Sequence, residues 1–197
     1  MKNSLLQRRQ FLFWGLGVAG VGLAASFRPG ASKAKSSQIV TPSPAPIAPT
    51  SAAAPLLPEF QGIQQWLNSA PLTRQDLKGN VVLLQFWTLG CINCQRTLPY
   101  ITRWHQQYVQ QGLKVIGVHT PEFPFERKVS NIQAAMKRHG ITYPVAVDNN
   151  FKTWQAYRNE YWPHLFLADR QGIIRYDHIG EGAYPETAQM IQKLLQS

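Results

Sequence analysis

The two cysteines of this 197-residue chain stand three positions apart, in Cys91-Ile92-Asn93-Cys94. Thiols at that spacing can close a disulfide across one helical turn and, when reduced, exchange with the disulfide of a partner. Residues 80–87 (NVVLLQFW) read as a buried strand that ends just before the pair, and a helical pattern follows it. At such a junction the first sulfur lies beside unpaired backbone N–H groups and the positive end of the helix dipole, which favour thiolate over thiol. Cys91 is then the attacking sulfur and Cys94, one turn along, the resolving one.

Two other uses of the pair fit the residues less well. A fixed disulfide around a four-residue loop adds little stability through loop entropy. A metal site needs further ligands from His105, His119, His139, His164 or His178, and none stands at ligand spacing from the pair. Two cysteines can build neither a four-cysteine zinc site nor a disulfide-stapled miniprotein. The expectation is therefore a redox pair, with no metal and no cofactor.

The elements that position the pair alternate β and α. After the strand at 80–87 comes a helix with Leu98, Ile101, Trp104 and Tyr108 at three- and four-residue steps, kinked by Pro99. Residues 113–120 (LKVIGVHT) read as a second buried strand. A helix over 125–139 turns Val129, Ile132, Ala135 and Met136 inward and closes at Gly140. A third strand spans 143–147 and a short helix 151–157. Residues 164–168 and 173–178 form a hairpin around Asp169-Arg170-Gln171-Gly172, and an amphipathic helix over 186–195 closes the chain. The fold class is α/β, a mixed sheet with helices on both faces.

Hydrophobic residues make up 44% of the chain, enough for a core, which excludes wholesale disorder. The net charge of +10 suggests nucleic acid until it is divided along the chain. Five basic residues precede position 35, whereas the first acid is Glu59. From residue 35 onward 15 basic residues face 10 acidic ones. They are scattered, with only Arg127-Lys128 and Lys137-Arg138 adjacent, so there is no basic stripe of the kind nucleic-acid binders carry.

Residues 1–34 read as an export address or a membrane anchor. Arg8-Arg9 precede an uncharged run, FLFWGLGVAGVGLAA, shorter than the roughly 20 residues a membrane-spanning helix needs. Arg8-Arg9-Gln10-Phe11-Leu12 partly matches the twin-arginine pattern, with Gln7 and Phe13 departing from it. Ser32-Lys33-Ala34 offers a small-x-small cleavage site. Residues 35–58 hold six of the fourteen prolines and no acid, a semi-rigid linker. The folded domain is expected over 59–197.

The stretches PEFQGIQQWLN, LKGNVVLLQFWTLGCINCQRTLPY, GVHTPEFPFE, YPVAVDNNF, YWPHLFLADRQG and GEGAY cover nearly all of residues 58–184 in order. On these the chain resembles thioredoxin-fold proteins, within them the TlpA/DipZ-like branch of exported thiol-disulfide oxidoreductases. The resemblance implies a thioredoxin-like sheet with a strand-helix insertion ahead of the cis-proline strand. It implies that Trp87 packs beneath the site and that Pro99 kinks the helix. Pro163 would be the cis-proline facing the cysteines, presenting the Trp162 backbone to an extended substrate. The partners implied are an exported protein with a disulfide or dithiol and a membrane electron donor or acceptor, with the chain acting as a monomer. Reduction is the direction more often implied.

Several residues depart from that pattern. Gln85 stands where thioredoxins bury an acid that moves protons to the second cysteine, and an amide cannot replace it. Glu122, in His119-Thr120-Pro121-Glu122, is the candidate substitute; the alternative is a solvated loop acid. Gly90 precedes Cys91 where thioredoxins carry tryptophan, which should open the thiol. His164 would tune or shield Cys91, or face solvent. Thr88-Leu89-Gly90-Cys91 also satisfies the Thr-x-x-Cys of peroxiredoxins, but Leu84 occupies the position of their pocket proline. A thiol peroxidase and a non-enzymatic metal carrier are the alternatives to a thiol-disulfide oxidoreductase, which is the expected function.

Overall fold

A computed structural model describes residues 54–197. The export segment at 1–34 and most of the linker lie outside the described residues. β2 (Val81–Trp87) is buried along its whole length, as its two-sided apolar pattern requires. It pairs in parallel with β3 (Leu113–His119), which pairs in parallel with β4 (Val145–Val147). On the other side β2 pairs antiparallel with β5 (His164–Ala168), and β5 with β6 (Ile174–Ile179). A short β1 (Gln65–Leu67) adds antiparallel to β4, giving the order β1-β4-β3-β2-β5-β6.

Side chains alternate across β2. Leu83 and Trp87 share one core with α1 (Ile92–Tyr108), α2 (Val129–Arg138) and α4 (Tyr184–Leu195). Val82, Leu84 and Phe86 enter a second core with Leu77, Leu57 and Trp154, the last on α3 (Lys152–Ala156). Helices thus cover both faces, as expected. The two crossovers that the parallel strands require are α1, between β2 and β3, and α2, between β3 and β4.

Three boundaries differ from the sequence reading. The helix expected over 125–139 is broken: Pro124–Arg127 form a 3-10 turn, Lys128 is extended, and α2 begins at Val129. Pro124 heads a separate turn because the Glu126 side chain folds back into the interior instead of continuing a helical face. β1 had no legible pattern, because three residues are too few to show a period. The fold also starts before Glu59. Leu56 bridges to Ile173, the Ile174 N–H donates to Pro55 O at 2.8 Å, and Leu57 is buried in the core. Among the described residues no helix is long and apolar enough to cross a membrane.

Candidate functional site

Cys91 is the N-cap of α1, extended at φ −77° and ψ 113°, and it follows β2 by four residues. Cys91 and Cys94 form a disulfide with Cα atoms 5.2 Å apart. The Cys94 N–H donates to Cys91 Sγ at 3.1 Å, so one of the orphan amides of the helix's first turn points at the sulfur. That arrangement stabilises negative charge on Sγ once the bond is opened. The two sulfurs are not equivalent. Cys91 is half-buried at the rim, whereas Cys94 is 0% exposed within the core that holds Trp87 and Leu98. A macromolecular partner reaches only the first.

The loop carrying Cys91 is tied from both sides. Gln95 Nε2 donates to Leu89 O at 2.9 Å, and the Cys91 N–H reaches Thr88 O at 3.4 Å. Pro99 lies inside α1, where it removes a backbone donor, and its ring is exposed. Trp87 is fully buried, and its indole crosses the His119 ring edge-on at 5.0 Å. Gly117 on β3 makes this possible, because a Cβ there would lie 2.9 Å from Trp87 Nε1.

The carboxylate beside the cysteines belongs to Glu126. Its side chain is fully buried, and Oε1 accepts the Gly90 N–H at 2.7 Å. Oε2 accepts the N–H groups of Phe123, at 2.8 Å, and of Glu122. Glu122, the acid singled out from the sequence, is exposed, and it meets the Glu126 carboxylate through its backbone N–H. No local signal marks Glu126: the turn's N-cap three residues earlier is Phe123, which lacks the side-chain oxygen that makes a capping pattern legible. Gly90 has a role that its sequence position did not reveal: a Cβ there would lie 2.6 Å from Glu126 Oε1. A side chain before Cys91 and this carboxylate are mutually exclusive.

His119 ends β3 beneath the same loop, fully buried, with Nε2 3.4 Å from Thr88 Oγ1. Burial pushes its pKa down to about 4, against the opposing pull of the Glu126 carboxylate and a backbone hydrogen bond. Gln85 is also fully buried, and neither its Nε2 nor its Oε1 has a hydrogen-bond partner among the described residues.

The third wall is the loop before β5. The Trp162–Pro163 peptide is cis, and Trp162 Nε1 donates to Thr120 O at 3.0 Å, joining this loop to the one that carries Glu126. The Trp162 peptide N–H and C=O make no hydrogen bond among the described residues. His164 neither faces solvent nor joins the cysteines. It opposes Phe86 in the sheet and lies against Phe166, ring centroids 4.0 Å apart and planes tilted by 35°, with Nδ1 2.6 Å from Asn159 Oδ1 and Nε2 3.1 Å from Asp177 Oδ2.

Comparison with known proteins agrees with this geometry. Residues 56–177 match the AhpC/TSA family. The chain is 45% identical to Protein DipZ of Mycobacterium bovis over 141 residues, which cover 70% of this chain and 20% of that protein. It therefore spans about one fifth of the length of the mycobacterial relative. It is 29% identical to the thiol-disulfide oxidoreductase YkuV of Bacillus subtilis over 140 residues, covering 71% of this chain and 93% of YkuV. A solved thiol-disulfide isomerase from Corynebacterium glutamicum superposes with a TM-score of 0.66 at 28% identity, covering 73% of this chain and 97% of that one. The fold is thioredoxin-like, and the chain belongs to the AhpC/TSA family.

Proposed function

We propose that the chain is an exported reductase of protein disulfides. One observation carries the reading: Cys91 caps a helix at the rim and Cys94 is fully buried behind it, within disulfide reach. In the reduced protein the Cys91 thiolate attacks one sulfur of a substrate disulfide. The Cys91–substrate bond forms and the other substrate sulfur leaves as thiolate. Cys94 then loses its proton and attacks Cys91 Sγ, releasing the second substrate thiolate and closing Cys91–Cys94. Two electrons pass to the substrate, and a membrane dithiol donor restores the pair. Trp162 and Pro163 line the approach, where the free peptide groups of Trp162 suit an extended substrate strand. Trp87 and Pro99 support the helix and its floor.

Export rests on Arg8-Arg9 and the apolar run after them; a reporter fused behind residues 1–34 should be recovered in the periplasm or an equivalent lumen, and retention in the cytoplasm counts against it. The chain acts as a monomer on exported partners. Direction is tested by the reduction potential of the Cys91–Cys94 couple in the full chain against defined thiol buffers. A reductase requires a value near or below about −250 mV, whereas one near about −120 mV marks an oxidant. Peroxide consumption, measured alongside, should be negligible. Thr88, the threonine a peroxidatic site would use, is buried with its hydroxyl beside His119.

A further inference from the structure

Three loops meet around Cys91, and each displays apolar surface to solvent. The active-site turn shows Ile92, 57% exposed. The loop after β3 shows Phe123 and Phe125, at 48% and 49%, stacked on one another with centroids 6.1 Å apart and planes 9° from parallel. The loop before β5 shows Tyr161, at 50%. These four account for most of the strongly exposed large hydrophobic residues among the described ones, and they are drawn together by contacts already described. A Cβ on Gly90 would lie 3.5 Å from Phe125 Cζ, which places that ring against the residue before Cys91. The Trp162–Thr120 hydrogen bond brings the Tyr161 loop to the Phe123 loop. Solvent-facing aromatics at this density around a half-buried sulfur mark a surface that another molecule covers.

The charges that adjoin these aromatics directly in sequence are acidic. Glu122 adjoins Phe123 and Glu160 adjoins Tyr161, and both are exposed. Neither forms an ion pair among the described residues. The nearby cations are directed elsewhere. Arg127 donates to Asn149 O at 2.8 Å, Arg96 pairs with Glu181 at 3.3 Å, and Arg158 lines a separate cavity with Pro55, Pro58 and Tyr157. Lys128 lies beyond the turn, at the head of α2. The rim of Cys91 is thus apolar and acidic on a chain whose net charge is +10.

We infer that this rim selects its substrate: an extended polypeptide segment whose disulfide-bonded cysteine is flanked by large apolar residues and by a lysine or arginine. The inference rests on the oxidoreductase reading and adds the partner's chemistry to it. Apolar side chains next to the cysteine cover the Phe123–Phe125 stack and Ile92. A cation in the same segment meets Glu122 and Glu160, raising the encounter rate in a salt-dependent way.

The test uses the full chain, reduced, and follows its single-turnover oxidation by acid quench and thiol alkylation. The oxidants are homodimeric peptide disulfides with Phe-Cys-Phe-Lys, Phe-Cys-Phe-Glu, Ser-Cys-Ser-Lys and Ser-Cys-Ser-Glu cores. Each rate is divided by that of the same protein with hydroxyethyl disulfide, a small neutral probe. The Phe/Lys peptide should exceed the Ser/Glu peptide by about tenfold or more at low salt, with the lysine part of the advantage fading as salt is raised. Glu122→Gln with Glu160→Gln should remove the Lys-over-Glu preference. Phe123→Ser with Phe125→Ser should remove the Phe-over-Ser preference. Equal normalised rates for all four peptides, with hydroxyethyl disulfide still reduced, overturn the inference and leave the oxidoreductase reading standing. Failure to reduce even hydroxyethyl disulfide overturns both. Sedimentation as a dimer that Phe123→Ser dissolves would give the rim to a second copy of the chain and also overturn the inference.

Discussion

Two buried polar groups near the cysteines, one beneath them and one beside them, are treated in opposite ways. On the strand beneath, Gln85 is fully buried, and its amide finds no partner among the described residues. In the turn beside Cys91, Glu126 is equally buried, yet its two oxygens accept three backbone N–H groups. A buried group gains from its position only when its hydrogen bonds are made, and a buried charge depends on them more heavily. The buried carboxylate beside the cysteines is therefore on the wall, where it holds Gly90 and hence the backbone leading into Cys91. The strand below supplies volume.

The largest effect expected from this contrast is at Glu126. Glu126→Ala strips the acceptor from the N–H groups of Gly90, Glu122 and Phe123 together, and should cost about 2–4 kcal/mol of stability in urea unfolding. It should also slow disulfide exchange, because the loop that presents Cys91 loses its outer tether. Glu126→Gln sharpens the test. Its amide has one oxygen, so its NH2 group must oppose either the Gly90 N–H or the pair from Glu122 and Phe123. An intermediate loss is expected. A Glu126→Ala protein as stable as the parent would remove the asymmetry between wall and floor.

How much of this was legible in the sequence differs between the same two regions. β2 and the cysteine pair were readable because a seven-residue strand buried on both faces has an unmistakable composition, and because two cysteines three apart have few uses. The wall was not readable, because nothing local distinguishes Glu122 from Glu126. Both lie in one short acidic-aromatic stretch, and the choice depends on which one the turn at Pro124 folds toward Gly90, 36 positions earlier in the chain. Gly90 shows the same limit. From the sequence it reads as a missing side chain, whereas the structure shows that the carboxylate occupies the place where its Cβ would be. His164 likewise lay next to the site in sequence, but the alternation of β5 sends it to the sheet face that carries Phe86 and Phe166.

A second prediction concerns His119, which sits between floor and wall. Its folded-state pKa of about 4 lies below the ordinary histidine value of 6.5, so the folded chain binds fewer protons than the unfolded one between those limits. Stability should be level above about pH 6.5 and fall as pH drops toward 4, by an amount on the order of 2–3 kcal/mol from this residue. Burial also lowers the pKa values of His105, His139 and His164, which adds to the fall in the same direction. Urea unfolding at pH 7 and pH 5 measures the slope, and His119→Phe should flatten it. A slope unchanged by that substitution would mean that the histidine does not stay neutral in its pocket.

The smallest effect, and the one that defines the comparison most closely, is at Gln85. An amide with both polar atoms unsatisfied is worth less in place than an apolar side chain of similar length, since unfolding returns it to water. Gln85→Leu keeps most of the volume and discards the polar atoms, so it should leave the protein as stable as before or more stable by about 1 kcal/mol. The reduction potential should not move, because the residue contributes no charge to either sulfur. The result to watch for is a loss. A Gln85→Leu protein destabilised by more than about 1 kcal/mol, or one with a shifted potential, would show that the amide is engaged when the pair works. The strand beneath the cysteines would then take part in the chemistry, and the contrast between floor and wall would no longer hold.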